Sequence, residues 1–264
     1  MHLWFHCLLA LIPESKIRVG TSGWHYAHWR GPFYPDRFPA DEMLAFYCQR
    51  LDTVEINNSF YQLPEKKTFR AWRQQTPARF QFSIKASRYI THMKKLKDPQ
   101  RPLRKFLSHA RELGPKLGPI LFQLPPRWGR DAGRLRDFLQ ALPTKHGSAS
   151  LTTGRYAFEF RDPSWFHRET YALLEKHNAA FCVFDLAGTT SPKELTADFA
   201  YLRLHGPSEF HYQGRYTRRQ LAGWLNTIQR WQRQGARTAY VYFDNDQNGY
   251  AALNALELSG QASR

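Results

Sequence analysis

Short runs of β-branched and aromatic residues alternate along the chain with stretches whose apolar positions recur at helical spacing. The runs predict strands over 17–21, 53–57, 80–85, 120–124, 156–161, 181–185, 200–205 and 238–244. The stretches between them predict helices over 41–50, 66–75, 103–113, 133–141, 169–177 and 218–234, with shorter ones over 192–197 and 249–258. Segment 218–234 shows the logic: Leu221, Trp224, Leu225, Ile228 and Trp231 share one face, and arginines and glutamines the other. Eight strands, each followed by a helical segment, with no break in composition, predict an α/β fold. The simplest closed form is a single-domain (β/α)8 TIM-type barrel over residues 17–260. A doubly wound open sheet is the alternative; the lack of a glycine fingerprint after any strand weakens its nucleotide-binding versions. Residues 1–16 stand outside the pattern. Their apolar stretch, 3–12, has neither a basic leader nor a small-residue cleavage site, so it is read as an N-terminal extension.

Composition narrows the picture. The 264 residues suit a barrel, and 42% hydrophobic with 15% aromatic residues exclude wholesale disorder. A mean hydropathy of −0.61, with no apolar run of bilayer length, excludes an integral membrane protein. The 3 cysteines (Cys7, Cys48, Cys182) form neither a disulfide framework nor a metal-spaced pair, so a cytoplasmic protein with no membrane partner is expected. Lys+Arg 38 against Asp+Glu 22 gives +16, and that surplus asks for an anionic partner.

In a barrel of this type the chemistry gathers at the C-terminal ends of the strands. The second predicted strand carries Glu55 and Asn57 on one face, and the third ends at Lys85. The fourth offers Gln123, the fifth Glu159 and Arg161, and the sixth Asp185. The seventh presents Tyr201, Arg203 and His205 on one face; the eighth ends in Asp244, Asn245 and Asp246. A barrel interior prefers Val, Ile and Leu, and an unpaired charge inside it costs several kcal/mol. Charges at the ends of so many strands therefore read as a site. Ion pairs that close the barrel end are the bland account of any one of them.

A set of motifs in consistent order runs through the same segments. They are GTSGW at 20–24 with Tyr26, Trp29, Gly31 and FYP at 33–35; TVEIN at 53–57 with Phe60, Tyr61 and Lys85; and Thr91-His92. They continue with GPILFQLP at 118–125, EFR at 159–161, Ser164-Trp165, YLRLHG at 201–206, and Tyr242-Phe243 with Asn245. From about residue 17 to 258 the chain resembles the YecE-like family, domain of unknown function 72. The resemblance implies a (β/α)8 barrel and brings no reaction with it. The apolar stretch 3–12 departs from the family pattern.

Three carboxylates (Glu55, Glu159, Asp185), three cations (Lys85, Arg161, Arg203) and one titratable His205 make a site balanced in sign. No cofactor is predicted. Hard divalent metals want carboxylates free of competing cations, so a metal is carried only as a lesser alternative. Glu55 and Glu159 are the leading acid–base pair, with Asp185 and His205 beside them, while Lys85, Arg161 and Arg203 suit a carboxylate or phosphate. Gly206 and Gly249 lie in the loops where such barrels often hold phosphate, with turn-making as the even alternative. Asn57, Gln123 and Asn245 complete the polar set. Trp24, Tyr61 and Trp165 are read as stacking platforms, whereas Trp29 and the FYP motif at 33–35 are read as loop packing.

The expected function is a hydrolase- or lyase-type enzyme acting on an anionic small molecule, phosphate-bearing ones included, at the barrel mouth. The alternative is a nucleic-acid-binding protein or nuclease. Basic clusters over 70–79, 88–111, 127–136 and 215–237 favour it, although solvated Arg-rich helix faces account for them equally well.

Overall fold

Eight parallel strands wind into a barrel in the computed structural model, which describes residues 16–143 and 154–263. They are β1 (Lys16–Thr21), β2 (Thr53–Ile56), β3 (Gln81–Lys85), β4 (Leu117–Gln123), β5 (Tyr156–Glu159), β6 (Ala180–Leu186), β7 (Phe199–Leu204) and β8 (Thr238–Phe243). The helices are α1 (Met43–Cys48), α2 (Lys66–Gln75), α3 (Gln100–Ala110), α4 (Ala132–Ala141), α5 (Arg168–Lys176), α6 (Arg218–Arg233) and α7 (Tyr250–Ala262). Hydrogen-bonded neighbours run β1-β8-β7-β6-β5-β4-β3-β2, all parallel. The architecture is the expected TIM-type barrel. The apolar stretch 3–12 and Cys7 lie outside the described residues. Among the described residues no helix is long and apolar enough to cross a membrane.

One predicted helix is absent. Between β6 and β7 the chain turns back as a two-residue antiparallel strand, Thr189–Thr190, and then runs without helix to β7. Side chains hold this stretch in place: Ser191 Oγ accepts from the Phe184 amide at 3.0 Å, and Thr196 Oγ1 accepts from the Phe181 amide at 2.8 Å. Hydroxyls that serve the backbone in this way compete with helix formation, and apolar spacing alone does not reveal it.

The strands alternate their faces. Outward residues such as Val54, Ile84, Phe122, Phe158, Leu202 and Val241 pack under the helices in the main core. The inward ones (Leu121, Ala157, Cys182, Tyr201, Tyr240 and Tyr242 among them) form a separate inner cluster. Its tyrosines carry their hydroxyls to polar inner neighbours. Tyr242 reaches Thr53 at 2.8 Å and Ser83 at 2.6 Å, and Tyr240 donates to Gln81 at 2.8 Å. An aromatic body with a polar tip can fill a barrel and still serve buried polar atoms.

Closure falls at the β1–β2 seam, where one bridge joins Ser22 to Glu55. Tyr47 from α1 completes it: its hydroxyl accepts from the Thr21 amide at 3.0 Å and donates to the Thr53 carbonyl at 3.0 Å. The strands approach so closely that a Cβ at Gly20 would lie 2.0 Å from Thr53 O. Because that atom is backbone, the seam itself would have to shift. Gly20→Ala is expected to cost about 1–3 kcal/mol, as overpacking does, read as a lower urea midpoint. A midpoint equal to wild type would show the seam to be loose.

Candidate active site at the barrel mouth

The inward alternation of β2, β5, β7 and β8 carries Glu55, Glu159, Arg203 and, one residue beyond its strand, Asp244 to one level of the barrel. Arg203, only 1% exposed, is the hub. Nε and Nη2 donate to Glu55 Oε1 at 3.1 and 2.9 Å, Nη1 to Glu159 Oε2 at 2.8 Å, and Nη2 also to Asp244 Oδ2 at 3.1 Å and Ser22 Oγ at 3.3 Å. Every nitrogen of the guanidinium is engaged. Glu55, fully buried, accepts further bonds from Ser22 Oγ and the Tyr201 hydroxyl, both at 2.6 Å. Glu159, also fully buried, accepts from Arg161 Nε as well. Burial alone would raise its pKa, but Arg161, Arg203, His205 and Lys85 outweigh burial and hold it well below the usual carboxylate range.

The layer above is more open, except at His205, which is fully buried. Arg161 and Asp244 keep 11% and 16% of their side chains exposed, and Lys85 is half-buried. His205 Nε2 lies 3.1 Å from Arg161 Nη2 and 3.3 Å from Arg203 Nη1. Arginine only donates, so Nε2 is the acceptor and the proton sits on Nδ1. Nδ1 lies 3.0 Å from Asp244 Oδ2. Burial first, and then Arg203, lower the His205 pKa against the pull of Asp244, so the ring is neutral near pH 7. Asp244 is itself held low despite burial, by His205 and Arg203. Tyr212, in the loop after β7, sets its ring edge-on to His205 at 5.5 Å.

Lys85 differs from these neighbours. Its Nζ stands 4.3 Å from the centroid of the Phe60 ring and has neither a hydrogen bond nor an ion pair among the described residues. Burial, followed by the nearby Arg203, pulls its pKa down to about 8 against the influence of Glu159, Glu55 and Asp244.

Other candidates stand elsewhere. Asp185 follows the outward-facing Val183 at one residue's remove, so its carboxylate leaves the barrel and accepts from Tyr216 at 2.8 Å and Thr190 at 2.9 Å. It is not part of the cluster, and the expectation that placed it there is corrected. Trp165 is no platform either: it is fully buried, stacks on Phe160 at 4.8 Å and donates to the Trp128 carbonyl at 2.7 Å. Trp24 is 9% exposed, edge-on to Trp72 at 5.2 Å, and shows one edge to a side cavity of about 510 Å³ that Asn57 also lines. Asn57 Oδ1 is buried without a partner among the described residues. Tyr61 is exposed, and Gln123 is half-buried at the end of β4, in register with Glu159.

Asn245 is buried, with Nδ2 donating to Gly214 O at 2.9 Å and Asn254 Oδ1 at 3.0 Å, while its Oδ1 has no partner among the described residues. The glycines make turns. Gly206, at φ +118°, has no room for a Cβ beside Gln213 O at 2.1 Å, and its amide donates to the Tyr216 hydroxyl. Gly249, at φ +71°, caps α7 in the left-handed region under Pro32 and Trp29. The helix start is thus covered by the first loop, and Asp246 lies beside it, so the phosphate reading of these glycines is set aside. Ser22 is a central residue that the sequence does not single out, and Asp244 is noted at the end of the eighth strand without a role in the site. The period-two run Tyr240, Tyr242, Asp244 is the signal for Asp244; nothing comparable marks Ser22. Among the described residues no group of three or more His, Cys, Asp or Glu could hold a metal ion.

The family described as Protein of unknown function DUF72 matches residues 18–264. The UPF0759 protein YunF of Bacillus subtilis (strain 168) is 26% identical, over 94% of this chain and 98% of its own length. The crystal structure of a DUF72 family protein from Thermotoga maritima MSB8 superposes with a TM-score of 0.84 at 27% identity, covering 94% of this chain and all of that one (100%). A DUF72 family protein from Enterococcus faecalis V583 gives a TM-score of 0.75 at 18% identity, covering 96% and 99%.

Proposed function

The chain belongs to the DUF72 family, and on that footing we propose that it is an enzyme acting on an anionic small molecule at the C-terminal mouth of its barrel. The reaction is of hydrolase or lyase type. Lys85 and Arg161 hold the anionic group, and Asp244 handles the proton, with the buried, neutral His205 positioned beside its carboxylate. Arg203, Glu55 and Glu159 serve as the rigid floor, since buried groups already engaged with one another make poor substrate ligands. One observation carries the reading: Arg203 absorbs the carboxylates, which leaves Lys85 as a mouth cation without a counter-ion among the described residues. A desolvated ammonium in a concave polar site suits a carboxylate or phosphate oxygen.

Titration with inorganic phosphate and with oxalate, by calorimetry and thermal shift, tests it. Wild type is expected to bind at least one of them. Lys85→Met is expected to weaken that binding about tenfold or more, the worth of one charge-assisted hydrogen bond. No binding of either anion, or binding unchanged in Lys85→Met, would overturn the reading. A single-stranded oligonucleotide run in parallel decides the nucleic-acid alternative, whose best support is a groove of about 750 Å³ lined by Lys94, Arg101, Lys105 and the exposed Tyr89. Salt-sensitive oligonucleotide binding that survives Lys85→Met would move recognition to that groove.

A further inference from the structure

We propose that Lys85 is the covalent nucleophile of the mouth, its amine condensing with the carbonyl of a small keto- or aldehydo-acid whose carboxylate is held by Arg161. This rests on the anion-binding reading above and narrows its substrate class. Several features meet at this side chain. It is the inward residue at the end of β3, two beyond Ser83, whose hydroxyl meets Tyr242 in the barrel interior. No carboxylate lies within ion-pair reach of Nζ among the described residues, so nothing must be broken before the amine can react. The Phe60 ring closes one side. Arg161 commits Nε to Glu159 and Nη2 to His205, which leaves Nη1 for a substrate oxygen.

The protonation balance fits the same role. The charged groups acting on Lys85 are Arg203 on one side and Glu159, Glu55 and Asp244 on the other; His92, from the segment after β3, is held neutral with a pKa of about 4 by burial, Lys85 and Arg88. A lysine near pKa 8 has roughly a tenth of its amine free at pH 7, against well under a hundredth for an ordinary lysine. Desolvation beside a second cation is a recognised way of activating a lysine.

The chemistry balances without an oxidant or reductant. Neutral Nζ attacks the carbonyl carbon; the C–N bond forms and the carbonyl electron pair moves to oxygen, which takes one proton from Nζ and a second from solvent. Loss of water then gives an iminium, whose positive nitrogen lies over Phe60, an arrangement that ring faces favour. The iminium can accept the electron pair of a breaking C–H bond on the adjacent carbon as Asp244 takes that proton, which gives an enamine; return of the proton to carbon restores the iminium. Hydrolysis of the imine returns the amine.

The test uses the full chain with pyruvate or glyoxylate as probe and borohydride to reduce the imine, read by intact-protein and peptide mass spectrometry. One adduct on Lys85 is expected, for pyruvate an increment of pyruvic acid less one oxygen atom, forming faster as pH rises through about 8. The exposed Lys67, paired with Glu65, serves as the internal surface control. Lys85→Arg keeps the charge without imine chemistry and is expected to bind oxalate and form no adduct. No adduct in wild type, or labelling spread over surface lysines and unchanged in Lys85→Arg, overturns the proposal. If oxalate or phosphate still binds in that case, only the covalent step falls; if neither binds, the anion-binding reading falls as well.

Discussion

Arg203→Met is expected to lower stability by about 3–5 kcal/mol, the usual cost of removing one partner from a buried ion pair. Here one guanidinium serves Glu55, Glu159 and Asp244 at once. Methionine matches the side chain only as far as Nε and keeps its aliphatic packing, so the loss is mainly one of charge compensation and hydrogen bonds, with the space of the guanidinium added to it. In wild type, Glu159 and Asp244 have pKa values below those of the unfolded chain, so their contribution is present above the ordinary carboxylate range and lost as pH falls through the folded values. In Arg203→Met the sign reverses for at least one carboxylate. Without its cation, burial raises its pKa, and stability is then present at low pH and lost as pH rises. The deficit relative to wild type should therefore be larger at pH 8 than at pH 5. Urea unfolding at both pH values measures this, with a fall in melting temperature of roughly 10 °C expected near neutrality. A variant within 1 kcal/mol of wild type at pH 8, or a deficit that does not change with pH, would show that Arg203 is not the keystone of the floor.

The hub explains what the sequence could and could not disclose. Strand alternation put Glu55, Glu159, Arg203 and His205 on inward faces, because period two is a property of the backbone and needs no knowledge of neighbours. The same rule, counted from Val183, sends Asp185 outward and from Tyr242 sends Asp244 inward; ending a predicted strand on a charge was a weaker guide than counting its parity. What pattern could not reveal is how the charges divide among themselves. Arg203 and Arg161 read alike in sequence, yet one is saturated and the other keeps a free nitrogen, and only three-dimensional distances separate them. Trp165 and Tyr61 both follow strands and both could stack, but one is sealed beneath Trp128 and the other lies open. The helix expected over 192–197 failed for a local reason, since the hydroxyls of Ser191 and Thr196 were committed to the backbone of β6.

Trp29→Ala should cost a comparable amount, about 3–5 kcal/mol, as truncation of a fully buried tryptophan does. Its ring packs between Tyr26 at 4.9 Å, Phe33 at 5.6 Å and Tyr34 at 6.1 Å, and Nε1 donates to Asp246 Oδ1 at 2.6 Å. This single side chain joins the first loop to the loop after β8, across the rim that flanks Asp244. Removing it opens a cavity and leaves a half-buried carboxylate short of a donor; His28 is the other partner, at 3.1 Å. Trp29→Phe separates the two contributions. It keeps most of the packing and loses the indole donor, so about 1–3 kcal/mol is expected from the hydrogen bond alone. Urea midpoints of both variants give the ordering, and amide exchange gives the location: protection should fall around residues 24–36 and 246–250 before it falls in the strands. If Trp29→Ala unfolds at the wild-type midpoint, the rim is not tied by this residue. If Trp29→Phe loses as much as Trp29→Ala, the bond to Asp246 rather than the cavity carries the cost, and the aromatic motifs of the first loop serve to place one indole N–H against the last barrel strand's loop.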